Sequence, residues 1–157
     1  DGKEKSSYSY GEKPAFKAKI VAVDLKGETL TLDREIPAEL AIKGAFFTAG
    51  KAAYQIGEVS GKTVKLLDQS PVRGLFRFES FDEQQRIGVV SPLLVLARGK
   101  LALYAADGKT WVGEAYSQSN AGCLRVELPA KVETGKDYLL SECLPGDEFT
   151  LVASQRK

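Results

Sequence analysis

Ile20-Val-Ala-Val-Asp-Leu-Lys-Gly-Glu-Thr-Leu-Thr-Leu-Asp33, followed by Arg-Glu-Ile-Pro37, and Tyr54-Gln-Ile-Gly-Glu-Val-Ser-Gly-Lys-Thr-Val-Lys-Leu-Leu67, followed by Asp-Gln-Ser-Pro71, are one pattern written twice. A slide of 34 residues lays Gly27 on Gly61, Thr29 on Thr63, Leu32 on Leu66 and Pro37 on Pro71. Each copy alternates apolar and polar residues, reaches a Gly, alternates again and ends at Pro. Alternation puts the apolar side chains on one face of a strand, and Gly offers the positive φ of a tight turn. Pro withholds a ladder donor and stops the strand. Two such hairpins must cover their apolar faces by packing together or closing into a barrel.

Outward from the repeats, further strands follow. Residues 1–14 are rich in Lys, Glu, Ser and Gly and read as a flexible tail, with an optional edge strand at Ser7–Tyr10. Ile36 to Gly44 reads as one helical turn or a wide loop, Ala45 to Thr48 as a short strand, and Ala49 to Lys51 as a turn. In Pro71 to Glu79, Phe76 and Phe78 share one face, with Arg73, Leu75 and Arg77 on the other. Ser80 to Arg86 reads as a charged loop. Ile87–Val90 and Leu93–Ala97 are apolar runs with little alternation, which predicts strands buried on both faces.

Leu101 to Tyr116 is the clearest tight hairpin. Asp107-Gly108 is the favoured type I′ pair, and the register sets Tyr104 opposite Trp111. Strands at Cys123–Leu128, Asp137–Cys143 and Glu148–Val152 complete the chain. The predicted fold is all-β, an antiparallel sandwich or distorted barrel of about a dozen short strands. It divides into a tail at 1–14, a double-hairpin subdomain at 15–80 and a second β subdomain at 81–157.

Composition narrows the function classes. The chain has 157 residues, 22 Lys and Arg against 21 Asp and Glu, and a net charge of +1, so no bulk field points to nucleic acid. No apolar run reaches the roughly 20 residues of a membrane helix. The sequence starts at Asp1 and has no Met, which reads as a processed or excised product. It has no His, so Ser-His-Asp and Cys-His catalysis and imidazole metal sites within this chain are excluded. No cofactor motif is present, and no Gly-rich phosphate loop precedes a helix.

Folding the last strands about a turn near Glu133 places Cys123 opposite Cys143, with Val126 facing Leu140 and Leu128 facing Tyr138. A disulfide is then geometrically reasonable, and it favours an exported protein. Two buried free thiols in a reducing compartment are the alternative. The adjacent acids Asp82-Glu83 and Asp147-Glu148 read as solvated loop charge. Asp24-Leu-Lys-Gly27 and Asp107-Gly-Lys109 lack the carboxylates of a calcium loop, and no metal site is assigned. Arg73, Arg77 and Lys65 form a basic strip if they share an outer face, with Arg86 and Arg98 as further members. With Trp111, Tyr104 and Tyr116 nearby, such a strip suits an anionic glycan, whereas scattered surface charge is the bland alternative.

The run from Lys19 to Leu67, including its Ile-Pro step, the Phe-rich strand and Ala53-Tyr-Gln-Ile-Gly-Glu-Val59, resembles the β-rich accessory or C-terminal domains of secreted bacterial polysaccharide-degrading enzymes, including heparinase-like lyases. That resemblance implies a module that braces a catalytic domain or contacts glycan. Catalytic residues of such lyases lie outside this kind of domain, so none is carried over. The leading expectation is a non-catalytic module, secreted, periplasmic or on the cell surface, whose ligand is a polysaccharide or a protein partner. Its candidate ligand residues are Trp111, Tyr104, Tyr116, Arg73 and Arg77. The alternatives are a small polysaccharide-acting enzyme using carboxylates or Tyr, and a structural module of a surface assembly bound through strand edges.

Overall fold

The alternating stretches become strands in the computed structural model, which describes residues 14–92, 99–118 and 122–152. The tail with Tyr8 and Tyr10, the Leu93–Ala97 run and Arg98 lie outside the described residues. Twelve strands run in order: β1 Pro14–Asp24, β2 Thr29–Leu32, β3 Phe46–Ala49, β4 Ala52–Ser60, β5 Thr63–Leu66, β6 Val72–Asp82, β7 Ile87–Ser91, β8 Lys100–Ala105, β9 Trp111–Ser117, β10 Cys123–Val126, β11 Asp137–Ser141 and β12 Glu148–Val152. A 3-10 turn at Ala38–Leu40 follows Pro37, as the Ile36–Gly44 reading anticipates. Among the described residues no helix is long and apolar enough to cross a membrane.

The strands close into two antiparallel barrels rather than a sandwich. One ring runs β1-β12-β3-β4-β5-β2 and the other β10-β7-β6-β11-β8-β9. The strand pairing therefore does not divide the chain near residue 80: β6 belongs to the second barrel, and β12 returns to close the first between β1 and β3. β1 pairs with β12 along its first half and with β2 along its second, bending at an irregularity between Ile20 and Ala22. β4 does the same between β3 and β5, bending at Ile56–Glu58. Gly57 occupies that bend because a Cβ there would lie 2.9 Å from the Leu66 carbonyl oxygen.

The sequence repeat is a two-fold relation within the first barrel. β2 on β5 follows the 34-residue slide, since Leu32 N donates to Lys62 O and Leu66 N donates to Glu28 O. β1 and β4 need two residues more, laying Ile20 on Ile56. The cause is the turns: Ser60 and Thr63 flank only Gly61-Lys62, whereas Asp24 and Thr29 flank Leu25 to Glu28. Gly61 has φ +59°, but in the longer turn Glu28 takes the left-handed place at +60°. Gly27 serves space instead, since a Cβ there would meet the Asp24 carboxylate that accepts its N–H at 3.0 Å.

The second barrel repeats the first bond by bond. Asp82 caps its turn by accepting from Gln85 N, as Asp24 does from Gly27 N. Arg86 is left-handed at φ +61°, like Glu28. Val126 N donates to Arg86 O and Val90 N to Gly122 O, in the places of Leu66–Glu28 and Leu32–Lys62. Gly135 N donates to Phe78 O as Gly146 N does to Ile20 O, and both glycines have positive φ. One barrel topology is thus written twice, the second inserted between β5 and β12 of the first.

Phe47, Tyr54, Phe149, Ile20, Leu30 and Val64 fill the first barrel, and Phe76, Phe78, Leu103, Leu124, Val126 and Tyr138 fill the second. The first cluster also takes in Ala102, Tyr104 and Leu139 from the outer wall of β8 and β11, with Cys143 and Leu144 beyond them. β8 and β11 are therefore buried on both faces, the property the sequence suggests for Ile87–Val90. β7 instead alternates, with Val89 exposed on its outer face.

The β8–β9 turn also differs from expectation. Ala105 N donates to Thr110 O and Gly108 N to Ala105 O, and only Gly108 is left-handed, so the turn is longer than a two-residue type I′ link. Its tip docks on the first barrel, where Leu25 N donates to Gly108 O at 2.8 Å.

Candidate functional site

The five residues anticipated as ligand contacts fall in three places. Tyr104 does lie opposite Trp111, but it is fully buried between the barrels, and its hydroxyl donates to the Cys143 carbonyl at 2.7 Å. It is closed to any surface ligand. Trp111 is 41% exposed at the start of β9, and Tyr116 stands near the end of that strand. At about 3.3 Å per residue the two Cα positions are roughly 16 Å apart. Arg73 and Arg77 lie on β6, which sits across the ring from β9. The outer face shared by Arg73, Leu75 and Arg77 forms as anticipated, but on the wall opposite Tyr116.

The basic strip is neutralised where it stands. Arg73 pairs with Glu142 at 3.3 Å and Arg77 with Asp137 at 3.0 Å, both acids from the β11 side. Lys65 lies on the first barrel and pairs with Glu28 at 3.7 Å. Arg86 is structural: its guanidinium donates to the carbonyls of Val126 and Ala130, pairs with Glu83 and lies 4.9 Å over the Phe81 ring.

The acids have local duties as well. Asp147 accepts from Leu144 N, and Glu148 faces Lys17 at 4.0 Å. Asp107 accepts from Thr110 N, Lys109 N and the Thr110 hydroxyl, and these bonds hold its carboxyl down at about 2. Among the described residues no three His, Cys, Asp or Glu side chains converge on a cation position.

The cysteines form no disulfide. The expected β10–β11 pairing does not exist: β10 lies between β7 and β9, and β11 between β6 and β8 across the ring. Val126 pairs with Ala115 and Leu140 with Leu103 and Gly74, in place of each other. Cys123 sits opposite Val89 on the outer wall. Cys143 is buried at the junction of the barrels, its sulfur 3.8 Å from the Tyr54 hydroxyl. Burial raises that thiol above its ordinary pKa, and burial likewise raises Tyr54 and Tyr104.

One grouping gathers polar and aromatic groups on an open wall. Lys100 of β8, Tyr116 of β9 and Arg125 of β10 stand in register across three strands. The Arg125 guanidinium lies 4.6 Å over the Tyr116 ring and pairs with Glu127, while Lys100 pairs with Glu114 at 3.7 Å. All five side chains are half-buried. Tyr116 was legible as a candidate, but Lys100 and Arg125 were not, because only the pairing of three strands brings them beside it. The patch offers an aromatic ring, two cations and two carboxylates within one row and its neighbours. The guanidinium covers a face of the ring, so what the set offers a ligand is hydrogen-bond donors and acceptors. No protein-family model, curated protein or solved structure matches the chain.

Proposed function

We propose that this chain is a non-catalytic accessory or binding module of a secreted, periplasmic or cell-surface protein. Its ligand is a carbohydrate or a cell-surface partner, held on the β8–β9–β10 wall at Tyr116. The observation that carries the reading is the Lys100–Tyr116–Arg125 row with its two carboxylates. A sugar presents hydroxyls at its rim, which match the charged donors and acceptors of Lys100, Arg125, Glu114 and Glu127, with the Arg125 guanidinium held over the Tyr116 ring. Cations and carboxylates balance here, so the patch suits a neutral sugar at least as well as an anionic one. The resemblance of Lys19–Leu67 to accessory domains of polysaccharide-degrading enzymes supports the same reading.

Titration against neutral and acidic polysaccharides, at low and physiological salt, tests it. Tyr116→Ala and Arg125→Ala should each weaken binding by about tenfold, near the 1.4 kcal/mol of one lost stacking or charge-assisted contact. Trp111→Ala, at the other end of β9, should leave that affinity unchanged. Sugar released during the titration would make the chain an enzyme instead. Absence of binding across the panel would remove carbohydrate as the ligand.

A further inference from the structure

The Lys100–Tyr116–Arg125 row is neutral by itself, because Glu114 and Glu127 answer its two cations. What stands beside it therefore decides the sign of its ligand. The first barrel meets the β8–β9 hairpin at both ends. At the turn, Leu25 N donates to Gly108 O at 2.8 Å. At the start of β8, the Lys51 ammonium lies 3.1 Å from the place of a Cβ on Gly99, one residue before Lys100. Between these ends Ala102 and Tyr104 are buried against the first barrel. The row thus ends at the seam between the barrels, with Lys51 facing it from the other side. Lys51 sits on the two-residue turn Gly50-Lys51, where Ala49 pairs with Ala52 and Gly50, at φ +61°, donates its N–H to Glu148 O at 3.1 Å. The acids beside this turn are occupied: Asp147 accepts from Leu144 N, and Glu148 faces Lys17. Among the described residues Lys51 has no ion pair.

We propose that the ligand is an anionic polysaccharide that crosses this seam, with one acid group, carboxylate or sulfate, at Lys51 and Lys100 and its next sugars along Tyr116 and Arg125. The proposal rests on the carbohydrate reading of the Tyr116 wall and adds to it the sign of the ligand and a residue from the other barrel. Three cations against two carboxylates leave one positive charge, and an acid group supplies its partner without displacing either ion pair. A lysine ammonium is a compact charge with three donors, so either oxyanion serves it. The corresponding wall of the first barrel differs: Lys65 stands for Arg125 and Glu58 for Tyr116, and the Lys65 charge is answered by Glu28. The row with a cation across the seam therefore belongs to the second barrel's wall and is not a by-product of the repeated fold.

Binding of polygalacturonate and its methyl ester, and of dextran sulfate and dextran, at low and physiological salt tests the proposal. The parent chain should bind the acidic member of at least one pair more tightly than its neutral partner, and which pair responds distinguishes carboxylate from sulfate. Lys51→Gln should weaken that acidic binding by about threefold to fivefold at low salt, the range of a single exposed ion pair, and by less at physiological salt. Lys51→Gln should leave any binding of the neutral partner unchanged. Lys62→Gln removes the same charge at the opposite end of β4 and should leave every affinity unchanged. Both lysines are exposed, so the variants should fold, and an unchanged melting midpoint checks this. Equal binding of acidic and neutral members overturns the proposal, as does Lys51→Gln without effect or an equal loss in Lys62→Gln. Each of these leaves the carbohydrate reading standing, whereas absence of binding to all four overturns both.

Discussion

Tyr104→Phe is the sharpest test of how the two barrels are joined. The Tyr104 hydroxyl donates to the Cys143 carbonyl at 2.7 Å, and both residues are fully buried. Removing the hydroxyl leaves a buried acceptor short of a donor without opening a large void, a cost of about 1–3 kcal/mol. Taking ~2 kcal/mol, and about 2–4 °C per kcal/mol for a chain of this size, the melting midpoint should fall by about 4–8 °C. Tyr54→Phe is the internal control, since its hydroxyl has the weaker partner, a sulfur 3.8 Å away. It should cost less than about 1 kcal/mol.

Scanning calorimetry at neutral pH reads both variants, and repetition between pH 9 and 12 adds a second signature. Burial raises both tyrosines above the ordinary ~10. The folded state then holds their protons more tightly than the unfolded state, so this stability is complete below about pH 10 and lost as pH rises above it. Tyr104→Phe should flatten that alkaline loss. A midpoint within about 1 °C of the parent, or a larger loss in Tyr54→Phe, would refute the assignment of this bond to the junction.

Three further outcomes follow from the geometry. Thiol titration with an aromatic disulfide reagent should count two free thiols in the denatured protein without reductant, with Cys123 reacting in the folded state and Cys143 only on unfolding; a count of zero would restore the disulfide. Gly57→Ala should lose about 1–3 kcal/mol in urea unfolding, because the new Cβ meets the carbonyls of Leu66 at 2.9 Å and Lys65 at 3.0 Å, and a neutral result would mean that β4 bends without needing Gly. Asp107 is held at about 2, so its contribution is present above the unfolded value near ~4 and lost as pH falls from there through about 2. Asp107→Asn should make the midpoint less steep in that window, and an unchanged slope would exclude the turn as the source.

Strand existence was legible because alternation and Pro mark it locally, and both hairpins of the repeat form where the pattern places them. The two-fold was legible on β2 and β5 but slipped on β1 and β4, because Gly27 aligns by identity with Gly61 while Glu28 does the conformational work. The larger repeat was hidden. Its turns share a capping Asp24 and Asp82, yet Glu28 and Arg86 hold corresponding backbones with unlike side chains.

The expected cysteine pairing is absent for a topological reason: it requires consecutive strands to be neighbours, whereas β10 and β11 sit across a ring. The weak alternation of Ile87–Val90 predicts burial on both faces, yet β7 is buried on one, while β8 and β11 acquire two-faced burial from the barrel docked against them. Side-chain chemistry singles out the candidate ligand residues one at a time. Their grouping depended on which strands become adjacent, a property that no short window of sequence contains.

The return of β12 to the first barrel has a consequence for synthesis. The second barrel's strands, 72 to 141, form one unbroken stretch and can pair as soon as they leave the ribosome. The first barrel begins earlier but lacks a wall until residues 148–152 emerge, so β1 and β3 wait with unpaired backbone through the making of its neighbour. Contacts between such distant parts of a chain form slowly. The first barrel to begin is the last to finish, and the waiting β1 and β3 edges are where a nascent chain is most exposed to pairing with a stranger.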